Sequence, residues 1–164
     1  EKAIAALMDE EDKDEPPPFD GTYDRAEYHQ QAVLDEGLAP EQAYVHTGMF
    51  VGWLVDHKLL SDAFLASHEV DVEEFKAREK TGPQLYKEWQ GLLSQEMLSD
   101  AGNQFAMHYF DFRKGLFLED YGQLLAPEKA TLLGVEDSWV NFQTLSAKIN
   151  QRFKEWTAVQ DANA

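Results

Sequence analysis

Carboxylates and histidines are the side chains of this chain that are best suited to chemistry. The sequence has no cysteine, which excludes disulfides and thiolate metal sites, and it contains neither a phosphate-binding glycine loop nor a nucleophile-elbow motif. Carboxylates and histidines contributed by several helices can bind a metal ion or act as acids and bases. The candidates of this kind are Asp24, Glu27, His29, His46, His108, Asp111, Glu119 and Asp120.

The densest group of candidates is the segment Tyr23-Asp-x-Ala-Glu-x-His29. Its Asp24, Glu27 and His29 have two interpretations: they are metal ligands or acid–base groups, or they form a cap and a turn of a surface helix. We favour the second interpretation. The di-iron pattern of helical bundles needs Glu-x-x-His twice, and no histidine here has a glutamate three residues before it. We therefore expect no catalytic residues, no cofactor and no metal site.

His46 lies in the most apolar stretch of the sequence, which runs from Ala43 to His57. On a 3.6-residue period His46, Phe50, Trp53 and His57 share one face, and apolar residues occupy most of the other sides. This pattern is typical of a buried central helix. One ion cannot bind both His46 and His57, because they are about three turns, ~16 Å, apart. We expect His46 to pack in the core with one ring nitrogen hydrogen-bonded.

The elements around this central helix are also predicted to be helical. Gly48 and Gly52 lie one turn apart within it, which predicts that another backbone packs closely there. Short segments with caps and terminal glycines follow, and an amphipathic helix from Trp139 to about Thr157 closes the core. No segment alternates long enough to predict a strand. The fold prediction is a single compact all-α domain of about seven or eight helices around the central helix, at 40–58.

The N-terminal segment differs from the rest in composition. Residues 9–15 form a charge run with one lysine, and Pro16, Pro17 and Pro18 follow it. This pattern predicts an acidic linker that ends in an extended proline segment. We therefore expect an N-terminal arm over 1–18 and one helical domain over 19–164.

The charge of the chain limits its partners. Lys and Arg number 14 and Asp and Glu number 31, so the formal net charge is −17. Such a charge repels nucleic acid and anionic membranes and attracts basic partners. No apolar run approaches the ~20 residues needed to cross a bilayer. We expect a protein that binds neither nucleic acid nor membrane.

Several motifs resemble a family of small bacterial domains of uncharacterised function that is associated with polymorphic toxin loci. The resemblance extends from about Tyr23 to Ala126. It is carried by Tyr23-Asp-x-Ala-Glu-x-His29, His46-x-Gly-Met-Phe-x-x-Trp53-x-x-x-His57, Lys76-Ala-Arg-Glu-x-Thr-Gly82 and Phe117-Leu-Glu-Asp-Tyr121. It implies a non-enzymatic immunity protein that binds and neutralises one cognate toxin in the cytoplasm.

A steric and electrostatic blocker of a basic toxin is consistent with the acidic composition. Acids recur beside aromatic residues in one part of the sequence, and we expect the contact face there, at Asp100, Asp111, Glu119, Asp120 and Tyr121. The alternative is a helical metal-binding or small-molecule-binding protein, or an enzyme, that uses Asp24, Glu27, His29 and His46.

Overall fold

A computed structural model describes residues 18–128 and 131–164 of the chain. The predicted N-terminal arm, apart from Pro18, lies outside these residues. Within them the chain folds mainly as helices, with eight α-helices, three short 3-10 helices and two short strands. The prediction of an all-α fold with about seven or eight helices is confirmed.

The elements are numbered here in chain order over the described residues. They are β1 (Thr22–Arg25), α1 (Glu27–Asp35), α2 (Val45–Asp56), α3 (Asp62–Ser67), α4 (Glu69–Lys76), α5 (Gly82–Glu88), β2 (Leu92–Ser94), α6 (Asp100–Tyr109), α7 (Phe117–Leu125) and α8 (Trp139–Ala162). The 3-10 helices span Pro40–Tyr44, Gln95–Met97 and Leu132–Gly134. Among the described residues, no helix has both the length and the apolar character needed to cross a membrane.

Helix α2 is the buried centre of the fold, as its composition predicted. Every residue from Val45 to Val55 is buried, and Phe50 and Trp53 have no exposed surface. The helix begins at Val45 rather than at Pro40, because Pro40–Tyr44 forms a separate 3-10 helix. A helix that is covered on all sides must be packed by several other elements.

The closest of these elements is α5. A Cβ atom added to Gly48 of α2 would overlap the Cα of Pro83, and one added to Gly82 would overlap the carbonyl oxygen of Gly48. The two backbones therefore touch, which confirms the close packing predicted at Gly48. The start of α5 is set by a capping box in which Thr81 and Gln84 satisfy each other's backbone N–H groups.

Two short strands, which the sequence analysis did not predict, pair antiparallel beside α1. Asp24 of β1 lies opposite Leu93 of β2, and Arg25 lies opposite Leu92. The register is irregular between Thr22 and Asp24. Strands of three or four residues are too short to show a reliable alternation, so their hydrophobic pattern gave no signal.

Helix α8 also covers the core. Phe142, Leu145 and Ile149 of this helix are buried, and the helix continues to Ala162, beyond the predicted end at about Thr157. The Nε1 of Trp53 donates a hydrogen bond of 2.8 Å to the Oδ1 of Asn150. The expectation that the final amphipathic helix completes the core is thus confirmed.

The Gly48 contact generates a stability prediction. Alanine normally stabilises a helix by about 1 kcal/mol relative to glycine. Gly48→Ala should instead lower the free energy of unfolding by ~1–3 kcal/mol, because its methyl group displaces the backbone of α5. Chemical denaturation measures this change. Gly122→Ala in α7 is the control, since its methyl group meets only the flexible end of Leu132. Equal losses in both variants would contradict a rigid backbone contact.

Candidate functional site

Three of the candidate residues meet in the interior of the domain. The ligand atoms of Asp24, His29 and His46 all lie within 4.8 Å of one another. Their exposed fractions are 1%, 8% and 3%. The favoured interpretation of Asp24 and His29 as part of a surface turn is therefore wrong. Glu27 does not join them, because its side chain is exposed and lies 4.0 Å from Arg25.

The turn from β1 into α1 brings Asp24 and His29 together. Asp24 is the buried residue of β1, and His29 is in the first turns of α1. Between them, the Ala26 N–H donates a 2.8 Å hydrogen bond to the Gly91 carbonyl. Gly91 has φ of +60°, and a Cβ there would lie 2.7 Å from the Cβ of Ala26. Glycine at this position therefore permits the close approach that orients the two side chains.

Hydrogen bonds connect Asp24 to the other residues of the cluster. The Nε2–H of His29 donates to both carboxylate oxygens of Asp24, at 2.8 and 3.0 Å. The hydroxyl of Thr47 donates to Oδ2 at 2.5 Å. The Nε2 of His46 lies 3.8 Å from the same oxygen and has no hydrogen-bond partner among the described residues. His46 therefore presents an unpaired ring nitrogen to a buried carboxylate.

The electrostatics of the cluster favour a neutral His46. Burial lowers the pKa of His46 to about 3, and the charge of His29 lowers this pKa while that of Asp24 raises it. A neutral imidazole carries the lone pair that a metal ion needs. Among the described residues, no lysine or arginine forms an ion pair with Asp24, although a buried carboxylate is costly without a compensating charge.

Aromatic side chains surround the polar cluster. The ring of Phe112 lies 6.2 Å from that of His29 and 6.0 Å from that of His46. The ring of Tyr121 lies 6.2 Å from that of His46. The hydroxyl of Tyr86 is buried without a hydrogen-bond partner among the described residues, and burial and then the charge of Asp24 raise its pKa. The site is thus a polar group enclosed by aromatic walls.

A second buried carboxylate, Asp120, has a different environment. It is 1% exposed, which is inconsistent with its predicted role on a contact face. The Tyr109 hydroxyl donates to it at 2.8 Å, and the guanidinium of Arg152 donates two bonds of 2.9 Å. Paired charges of this kind are satisfied within the fold. Tyr121 is also buried, so neither residue is available to a partner in this conformation.

The remaining predicted residues are more accessible but separate from the cluster. Asp100 at the start of α6 and Glu119 in α7 are exposed. Asp111 is half-buried, and its Oδ1 accepts hydrogen bonds from the backbone N–H groups of Arg113 and Lys114. His108 is exposed on α6. None of these residues joins Asp24, His29 and His46.

Thr47, Tyr86 and Phe112 contribute to the site but were not identified from the sequence. They come from α2, from α5 and from the loop after α6. Their spacing carries no recognisable motif, and the adjacency of Thr47 to His46 was the single local signal available.

The buried state of His46 predicts a pH dependence for the metal-free protein. In the unfolded chain His46 binds a proton at about pH 6.5, whereas in the folded protein it binds one only near pH 3. Protonation of His46 therefore favours unfolding between these pH values. The free energy of unfolding should therefore fall as the pH decreases through this range. In EDTA, His46→Gln should make that fall less steep by at most ~1.4 kcal/mol per pH unit. Identical slopes would contradict a buried neutral histidine.

The part of the chain that contains these residues matches a known protein family. A family model described as a domain of unknown function (DUF7832) matches residues 22–135, which include Asp24, His29 and His46. Its description gives no link to toxin loci or to immunity. The comparisons with curated proteins and with solved structures found no match. Since the matched segment spans more than half of the sequence, the chain belongs to the DUF7832 family.

Proposed function

We propose that this protein binds a divalent transition-metal ion through Asp24, His29 and His46. The observation that supports the proposal is a buried carboxylate that faces two imidazole nitrogens and pairs with no lysine or arginine among the described residues. A divalent ion would offset the charge of Asp24 and would bind the unpaired Nε2 of His46. This proposal replaces the expectation that the chain has no metal site.

The geometry needs little adjustment to hold an ion. Metal–nitrogen and metal–oxygen bonds of ~2.1 Å allow ligand atoms to be at most ~4.2 Å apart. The Asp24 oxygens are 2.8 Å from the His29 nitrogen and 3.8 Å from the His46 nitrogen, and the widest separation is within 4.8 Å. An ion would displace the Nε2 proton that His29 donates to Asp24, so the His29 ring would bind the ion as the tautomer protonated at Nδ1.

The ligand types favour transition metals over calcium and magnesium. Two imidazoles and one carboxylate suit Zn²⁺, Fe²⁺ or Co²⁺, whereas Ca²⁺ and Mg²⁺ prefer sites made of oxygen. Thr47 supports the site, because its hydroxyl orients the Asp24 carboxylate from outside the ligand group. Its hydrogen bond is the kind of contact that tunes metal affinity in known sites.

Titration of the EDTA-treated protein with Co²⁺ or Zn²⁺, followed by calorimetry, tests the proposal. We expect one ion per chain. Asp24→Asn, His29→Gln and His46→Gln should each abolish measurable binding, and Thr47→Val should weaken it by about 10–100-fold. His57→Gln is the matched control, since His57 lies at the end of the same helix as His46 but outside the cluster.

A folded wild-type protein that takes up no transition metal would contradict the proposal. So would a cluster variant that remains folded and binds the ion as tightly as the His57→Gln control. Circular dichroism of each variant establishes that it is folded before the titration. Elemental analysis of the protein as purified gives an independent measure of its metal content.

A second candidate function is the binding of a basic protein partner in the cytoplasm, such as a cognate toxin. The net charge of −17 supports it. Helices α6 and α7 also carry exposed acids, Asp100 and Glu119, and the apolar side chains of Met107, Leu124 and Leu116, the residue before α7, are exposed. Exposed acids would accelerate association with a positively charged protein, and exposed apolar side chains would supply apolar contacts.

Binding to the product of the adjacent gene tests this second candidate. Asp100→Lys and Glu119→Lys should slow association severalfold, with less change in the dissociation rate. Rising salt should reduce the effect, because the Debye length is ~8 Å at physiological ionic strength. Glu27→Lys is the control, at an exposed acid on a different helix. Failure of the two proteins to co-purify, with no rescue of growth if the product is toxic, would exclude that protein as the partner.

A further inference from the structure

We propose that the metal centre keeps an open coordination position that takes a small monoanionic ligand, and that Phe112 limits the size of this ligand. The inference rests on the proposed metal binding and names the chemical class of molecule that the centre would accept. It is carried by the number of protein ligands, by their charge and by the aromatic wall beside the two histidines.

The part of the chain that the structure describes supplies three metal-ligating side chains, too few to complete a coordination shell. Transition-metal ions in proteins bind four to six ligand atoms, and sites with three protein ligands leave a position for an exogenous group. Among the described residues, the metal-ligating group contains Asp24, His29 and His46 and no further histidine or carboxylate. Phe112, the next ring beside both histidines, has no atom that can coordinate. Since no other histidine or carboxylate of the described residues reaches this position, we infer that a ligand from outside the chain fills it.

The charge of the centre selects an anion for that position. A divalent ion with one carboxylate and two neutral imidazoles has a net charge of +1, and all three ligands are buried. An uncompensated charge is unfavourable in a poorly solvated interior. A monoanion brings the centre to neutrality, whereas a neutral donor leaves the charge in place. We therefore expect anions such as azide or a small carboxylate to bind more tightly than neutral donors of similar shape.

We infer that Phe112 limits the space beside the two histidines. Its ring is within 6.2 Å of both histidine rings, on the loop between α6 and α7. Asp111 holds that loop, because its Oδ1 accepts hydrogen bonds of 2.8 Å from the backbone N–H of Arg113 and 3.0 Å from that of Lys114. We expect the ring of Phe112 to admit slender ligands and to exclude bulky ones. Phe112→Ala should remove the restriction without changing a metal ligand.

The visible absorption of the Co²⁺-loaded protein tests the inference, because this spectrum responds to coordination number and ligand type. Azide should produce a saturable spectral change in the wild type, and acetonitrile, which is linear but neutral, should not. Benzoate should bind at least about tenfold more tightly to Phe112→Ala than to the wild type. Phe64→Ala is the control, since Phe64 is half-buried and its ring packs on His68 and Trp89.

The outcomes separate the inference from the proposed function. Loss of cobalt binding would overturn both. Tight cobalt binding with no response to azide would overturn the open position alone, and an equal response to acetonitrile would overturn the selection by charge. Unchanged benzoate affinity in folded Phe112→Ala would overturn the role of Phe112. If that variant does not fold, Phe112→Leu provides the same comparison, and the azide titration of the wild type needs no variant.

Discussion

The contact between the backbones of α2 and α5 is the constraint on which the arrangement of the site depends. Glycine at 48 and at 82 lets the two helices approach until main-chain atoms meet. The chain leaves α5 through Gly91 and enters β2, which pairs with β1 and so holds Asp24. The position of α5 on α2 thus determines where Asp24 stands relative to His46. A larger residue at either glycine would disturb the core and this alignment together.

The parts of the fold that follow from local chemistry were predictable from the sequence. The apolar composition of α2 identified it as the buried centre, and the glycine at 48 indicated a close neighbour. The apolar stripe of α8 predicted that this helix closes the core. Each of these signals lies within one helix and depends on its period and composition. The strands gave no such signal, because each is too short for an alternation to be recognised.

The cluster of Asp24, His29 and His46 could be foreseen only in part. All three residues were candidates, but they come from a strand and two helices, and their spacing matches no metal-binding motif of a single helix. Their meeting depends on the tertiary fold. The burial of Asp120 was missed for a related reason, because a lone carboxylate is usually exposed and its partner Arg152 lies on another helix. Sequence pattern identified reactive residue types, and packing decided which of them meet.

The ion pair between Asp120 and Arg152 has a consequence for where the folding unit ends. The family match stops at residue 135, yet Arg152 and the buried residues of α8 lie beyond it. A fragment cut at that boundary would keep a buried carboxylate without its cation and would uncover one side of Trp53. A relative that lacks α8 would need another positive charge and another apolar cover. The packed structure therefore extends beyond residue 135, where the family match ends.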